Sequence, residues 1–241
     1  MEFRDFRIRF EDGFSSGMAG VLLDPSQFHI RLLWLSNKKP FSSRIKEVAK
    51  RTNAAVIVNA GYFDENGRPL GYFRSGDKVY NSRLLFRGRR RALHLGAVFY
   101  VRKESGKVGI VTREAFNSKG VREAFQAGPY LVRGGKPDLG FDAYREFRRP
   151  DRRTILALGK KGRLLLLVSE EVGRGISWCE LQNFLTRPEP EGGLDVAEAM
   201  NLDGGSSSQI YVRGNRASRQ MKGRIVPALI IIVPRKVKGG S

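Results

Sequence analysis

Apolar and polar positions alternate at the start of the chain. In "MEFRDFRIRF", Phe6, Ile8 and Phe10 fall on one face and Arg7 and Arg9 on the other, the two-residue period of a strand. Residues 19–35, "AGVLLDPSQFHIRLLWL", predict two strands around a turn at Asp24-Pro25-Ser26. The period then changes. "RIKEVAKRT" places Ile45, Val48 and Ala49 on one side of a helix that Ser42 or Ser43 can cap. "AAVIVNAGYF" follows as an apolar strand ending in Asn-Ala-Gly.

Strand patterns fill the middle. "LHLGAVFYV" (93–101) and "KVGIV" (107–111) flank a turn at Glu104-Ser105-Gly106. "FQAGPYLV" (125–132) runs into a second turn, Arg133-Gly134-Gly135-Lys136. Gly128 and Pro129 read as lying inside that strand, where glycine admits close approach of another backbone. "RTILALGKKGRLLLLVS" predicts a hairpin turning at Lys160-Lys161-Gly162, with arms apolar enough to be buried on both faces. Two short helices are expected next, each opening with capping-box spacing: "SWCELQNFL" from Ser177 to Glu180, and "DVAEAM" from Asp195 to Glu198. "RIVPALIIIV" closes the pattern as a buried strand, with Pro227 near its start, where a missing N–H is tolerated. No internal repeat or long low-complexity linker appears. The expected fold class is α+β: a single domain over residues 1–235 of mixed, mostly antiparallel β-sheet with a few short helices, then a flexible tail at 236–241.

Composition narrows the chemistry. With 41% hydrophobic residues among 241, the chain can bury a substantial core. Its single cysteine, Cys179, rules out an internal disulfide. The two histidines, His29 and His94, are far apart, and no Cys/His spacing suits zinc. No stretch approaches the ~20 apolar residues of a membrane span, and the N-terminus lacks the apolar core of a signal peptide. GxSxG and GxxxxGK[ST] are both absent. A Ser/His/Asp triad would need His29 or His94, and neither lies near a glycine-flanked serine.

The formal charge of +20 stands out, with arginines clustered in "FRGRRR" (86–91) and "YREFRRPDRR" (144–153). Such a field draws anions: nucleic acid, acidic polysaccharide, phosphorylated glycan or anionic lipid surface. It also describes a solvated surface that keeps a protein soluble. Phe86, Tyr144 and Phe147 lie among the arginines, as in nucleic-acid binders, but no known nucleic-acid motif is present.

Three segments share one design, in which an apolar element runs into small residues and a polar group. "VIVNAGYFD" brings Asn59, Gly61 and Asp64; "FQAGPYLV" brings Gly128; "DGGSSS" brings Asp203, Gly204, Gly205 and Ser206, read as following a helix. Glycines there can turn successive N–H groups outward into an anion-binding nest. Each segment alone also reads as an ordinary turn.

Taken in order, the segments resemble the phosphodiester glycosidase family, whose relatives include bacterial exopolysaccharide-associated proteins. The likeness runs through "VIVNAGYFDENGRPLGYFRSG" (56–76), "FQAGPYLVRGGKP" (125–137), "DRRTILALGKKGRLLLLVS" (151–169), "SWCELQNFL" (177–185) and "NLDGGSSSQIYVRG" (201–214). It implies a hydrolase acting on the glycosidic bond to a phosphodiester, with an anionic phosphosugar or polysaccharide as substrate. The alternatives are a non-catalytic anionic-glycan binder on the same scaffold and, less favoured, a nucleic-acid binder. It implies Asp203 and Glu180 as the catalytic carboxyl groups, although Glu180 is equally the N3 residue of a capping box. Arg153 would hold the phosphate. Asn59, Gly61, Gly128, Gly204, Gly205 and Ser206 would complete the substrate site, with Gly204 and Gly205 keeping room beside the substrate and Ser206, Ser207 and Ser208 offering hydroxyl donors. No cofactor is expected, though Asp64 or Asp203 could take a divalent cation. By analogy with exported relatives, the compartment would be periplasmic or extracellular. The chain departs from the family pattern at Ala60 and Ala127, at Val168-Ser169-Glu170-Glu171 in place of Val-Asp-Gly-Arg, and at "ASRQMKG" (217–223).

Overall fold

Seventeen strands and two α-helices form among the described residues of this computed structural model, which are 1–10, 13–35, 45–85, 95–140, 145–170, 173–214 and 219–235. Three strands open the chain, β1 (Glu2–Arg9), β2 (Ser15–Leu23) and β3 (Phe28–Trp34), followed by α1 (Ile45–Thr52) and β4 (Val56–Asn59). Next come β5 (Phe73–Ser75), β6 (Lys78–Asn81), β7 (Ala97–Arg102), β8 (Val108–Thr112) and β9 (Val121–Ala127). The chain continues through β10 (Tyr130–Arg133), β11 (Lys136–Pro137), β12 (Thr154–Gly159), β13 (Leu164–Ser169), α2 (Trp178–Thr186) and β14 (Val196–Asn201). It ends with β15 (Ile210–Val212), β16 (Arg219–Met221) and β17 (Ala228–Pro234).

The strands make three sheets. The first has the order β1-β2-β13-β12-β14-β10-β11, the second β16-β15-β4-β17-β3 and the third β6-β5-β9-β7-β8. Every pairing between described strands is antiparallel. All three sheets turn one face into a common core. Leu164, Leu166 and Val168 of β13, Val56 and Val58 of β4 and Phe99 and Phe125 of the third sheet meet there.

Alternation explains the doubly apolar hairpin. Leu165 and Leu167, one position out of phase with Leu164 and Leu166, join Ile155 and Ala157 on the outer face of the first sheet. That face is covered by Trp178, Leu181, Phe184 and Leu185 of α2. On the second sheet α1 does the same job, seating Ile45, Val48 and Ala49 on Ile57, Leu229 and Ile231. Among the described residues, no helix is long and apolar enough to cross a membrane.

The structure corrects two readings and the balance of the fold class. With two α-helices against seventeen strands, the fold is mostly antiparallel β rather than α+β. "DVAEAM" is strand β14, not a helix. It pairs with both β12 and β10 in the middle of the first sheet, which buries Val196, Ala199 and Met200. The two residues that mimic a capping box are used otherwise. Asp195 pairs with Lys160 at 2.7 Å, and Glu198 accepts from the Tyr130 hydroxyl at 2.5 Å and the Gly134 N–H at 3.1 Å. Gly128-Pro129 is not inside a strand. It is a cis peptide joining β9 of the third sheet to β10 of the first. His29 is an exposed residue of β3. Ser42, Ser43, the arginine run at 86–91, His94, Tyr144, Glu171, residues 217–218 and the tail at 236–241 lie outside the described residues.

Candidate active site

Three strand ends from two sheets meet at one place: Asn59 ends β4, Thr154 begins β12 and Asn201 ends β14. Asn59 ties them together. Its Nδ2 donates to the Asp203 carbonyl at 2.6 Å, and its Oδ1 accepts from the Thr154 hydroxyl and the Gln209 N–H, each at 3.0 Å. At 1% exposure its amide is turned inward to these three bonds. Asn59 therefore shapes the site without lining it.

The loop after β14 is fixed by main-chain bonds to distant segments. The N–H of Leu202 donates to Thr154, that of Asp203 to Ala60 and that of Gly205 to Arg152, at 2.8, 3.1 and 2.8 Å. Ser207 and Ser208 donate to Gly204 and Gly205, closing a single 3-10 turn. The expected nest of outward amides is thus largely absent, because its N–H groups are taken by carbonyls. The glycines have a backbone role of their own. A Cβ on Gly204 would stand 2.8 Å from the Arg152 carbonyl oxygen, and Gly205 has φ of +57°. Both let the loop lie against the backbone ahead of β12. Ser207 and Ser208 are buried, which leaves Ser206 as the exposed hydroxyl.

A cavity of about 540 Å³ opens over this loop. Asp203, Gly204, Gly205, Ser206 and Arg153 line it together with Asn201, Tyr62, Trp178, Asp151 and Arg149. Burial pushes the Asp203 carboxyl up to about 6, while the Ser207 hydroxyl, Arg224 and the Gly204 N–H pull the other way. Arg153 is only 6% exposed. Its Nε donates to the Ile176 carbonyl at 2.8 Å and its Nη2 to that of Arg149 at 2.7 Å, with the guanidinium 4.8 Å from the Trp178 ring centre. No described carboxylate forms an ion pair with Arg153, and no described group accepts from Nη1. Burial lowers its pKa from the usual arginine value, and Asp151 opposes this at longer range. A guanidinium still carries its charge under such conditions. The cavity thus holds a fixed buried cation with unused donors beside a carboxyl poised to exchange a proton near neutrality.

Tyr62 and Asn201 also line the cavity. The Tyr62 hydroxyl donates to the Gly128 carbonyl at 2.8 Å and accepts from Asn201 Nδ2 at 2.9 Å. Burial, with the Asp203 charge behind it, drives its pKa upward, so it stays a neutral phenol. Asn201 Oδ1 is buried without a hydrogen-bond partner.

Other expected site residues lie elsewhere. Glu180 completes a capping box with Ser177 and pairs with Arg174, lining a neighbouring cavity. Gly61 packs toward the Gln126 carbonyl and Phe125 ring, and Gly128 contributes the carbonyl that anchors Tyr62. The Asp64 carboxylate accepts from the N–H groups of Asn66 and Arg68 in a local turn. Among the described residues, no group of three or more His, Cys, Asp or Glu could hold a metal ion. Sequence reasoning overlooked Tyr62, Asp151, Arg149, Trp178 and Asn201 as cavity residues. The signal for most of them was adjacency, since Tyr62 follows Gly61, Asp151 precedes Arg153 by two and Asn201 precedes Asp203 by two.

The sequence profile of phosphodiester glycosidases matches residues 52–233, from before β4 to the last strand. The chain belongs to the phosphodiester glycosidase family. Solved structures agree on the fold. The zebrafish N-acetylglucosamine-1-phosphodiester alpha-N-acetylglucosaminidase catalytic domain, auto-inhibited by its pro-peptide, superposes with a TM-score of 0.68 at 20% identity, covering 97% of this chain and 83% of that one. A Synechocystis protein gives 0.63 at 17% identity over 97% of this chain and 62% of its own. A Burkholderia pseudomallei protein gives 0.63 at 14% identity over 92% and 75%. A search of curated proteins returns no match. Within this phosphodiester glycosidase domain, the departure at Ser169 has a visible consequence. Its buried hydroxyl accepts from the Arg153 backbone N–H at 2.7 Å, so it holds the arginine's main chain without offering a charge to its guanidinium.

Proposed function

We propose that this chain hydrolyses the bond between a sugar's anomeric carbon and the oxygen of a phosphodiester. The observation that carries the reading is the meeting of Arg153, buried without a carboxylate partner, and Asp203 in one cavity. A buried cation without its counter-charge favours an anionic ligand, and a phosphodiester supplies one. As the C1–O bond breaks, the departing phosphate gains a second negative charge. Arg153 Nη1 and the exposed Arg149 stabilise it. Phosphate is a good leaving group, so the reaction asks little of a general acid. Asp203, ionised above pH about 6, takes the proton of the attacking water. Asp151, the second carboxylate lining this cavity, stabilises positive charge at C1. Ser206, the exposed hydroxyl of the loop, donates to the substrate. Glu180 remains a helix cap.

The test is sugar release from a panel of UDP-sugars and sugar-1-phosphodiesters by the wild type and Asp203→Asn. Turnover that drops at least about 100-fold in the variant, consistent with loss of a general base, supports the reading. Ligand binding without turnover on any panel member would leave an anionic-glycan binder instead.

A further inference from the structure

A second cavity, of about 560 Å³, lies beside the first. The two share a wall. Trp178 and Arg149 line the first, while their chain neighbours Ser177, Cys179 and Arg148 line the second. Their charges differ sharply. The reaction cavity is balanced, with Arg149 and Arg153 against Asp151 and Asp203. The residues lining the neighbouring cavity include five arginines, Arg7, Arg9, Arg148, Arg174 and Arg187, against two glutamates, Glu180 and Glu191, and Arg7 Nη1 donates to the Ser15 hydroxyl at 3.3 Å. Only Arg174 among the five forms an ion pair with a described carboxylate. Four exposed arginines around one cavity, none paired with a described carboxylate, repel one another, and an anion laid among them relieves that repulsion.

We infer that this cavity is an anion subsite for the phosphate next along the substrate, so that the preferred substrate is a chain with repeated phosphodiester links, not a single nucleotide sugar. The identity of the neighbouring unit rests on the hydrolase reading; the anion subsite itself does not. The aromatic residues favour phosphate over bases. Binding of a single-stranded nucleic acid uses free ring faces for stacking. Here the Phe10 face is covered by Arg174 at 4.0 Å, and Phe184 packs against Phe6 with centroids 5.9 Å apart.

The experiment compares wild type, Arg7→Ser/Arg187→Ser, and a charge-matched control, Lys50→Ser/Lys119→Ser, whose lysines are exposed outside both cavities. The probes are short linear inorganic polyphosphate and single-stranded DNA of equal charge, followed by a kinetic comparison of a phosphodiester-linked sugar oligomer with a UDP-sugar. Removal of two exposed cation contacts is expected to weaken polyphosphate binding about five- to tenfold and to lower the oligomer-over-monomer ratio of kcat/KM by a similar factor. The control should match wild type. An equal loss in the control overturns the subsite in favour of a diffuse field. DNA binding tighter than polyphosphate overturns the phosphate-chain assignment. Should polyphosphate binding depend on Arg7 and Arg187 while nothing is turned over, the subsite stands and the hydrolase reading fails. Should turnover occur with an unchanged ratio, the subsite fails and the hydrolase reading stands.

Discussion

Replacing Asp203 with asparagine should stabilise the protein at neutral pH, and the gain should vanish in acid. Burial raises this carboxyl from an ordinary 3.8 to about 6. Below pH 3.8 the group is protonated whether the chain is folded or not, and burial costs nothing. Between 3.8 and 6 the unfolded chain releases the proton and the folded chain keeps it, so stability falls as pH rises. Above 6 the folded protein bears the full cost of a desolvated carboxylate. At about 1.36 kcal/mol per pKa unit the cost approaches ~3 kcal/mol, and partial solvent contact at Asp203 brings the expected range to about 1–3 kcal/mol. Asparagine has the same shape and no charge. Urea or thermal unfolding of both proteins at pH 4 and pH 7.5 checks this. At pH 7.5 the variant should melt about 2–10 °C higher, with the difference mostly gone at pH 4. A gain of equal size at both pH values, or a loss at pH 7.5, would refute the assignment of a burial penalty to this carboxyl.

Other expectations follow from the same geometry. If Asp203 is the base, kcat/KM for a sugar-1-phosphodiester should rise with pH through about 6, as the carboxylate forms; a flat profile between pH 5 and 7.5 would count against that role. Glu180→Ala should cost about 0.5–2 kcal/mol of stability in urea unfolding, through loss of the capping box, with any effect on kcat far smaller than that of Asp203→Asn. Gly204→Ala drives a methyl group to 2.8 Å from the Arg152 carbonyl oxygen, so it should lower stability by about 1–3 kcal/mol and displace the Asp203 loop, visible as a lost or shifted titration near pH 6. Leu166→Ala, at a fully buried position shared by all three sheets, should cost about 2–5 kcal/mol.

What the sequence revealed depended on the range over which each residue is decided. The hairpin at Lys160-Lys161-Gly162 and the helix bearing Ile45, Val48 and Ala49 were legible, since turn chemistry and side-chain period act between near neighbours. The segment 196–201 misled for the same reason. Its capping-box spacing is local, whereas its place between β12 and β10 comes from partners about 37 to 70 residues earlier, such as Gly159 for Val196 and Tyr130 for Met200. At the site, the order of motifs singled out Asp203 and Arg153. It did not reveal that Asn59 is a strut, that the loop amides donate to Ala60 and Arg152, or that Trp178 lies over Arg153. Those facts depend on how sheets dock, and no short stretch encodes that. Glu180 was ambiguous because the same carboxylate suits a cap or a reaction, and only geometry separates the two uses.

Asn59 has a broader consequence for how this protein can fail. Its one amide group bridges the first and second sheets and the loop that carries Asp203. Loosening that loop strips a bond from the same amide that joins the sheets, so disturbance of the pocket is passed directly to the seam. Heat or denaturant should not blunt it gradually ahead of collapse, because the reactive pocket and the architecture around it share a single fate.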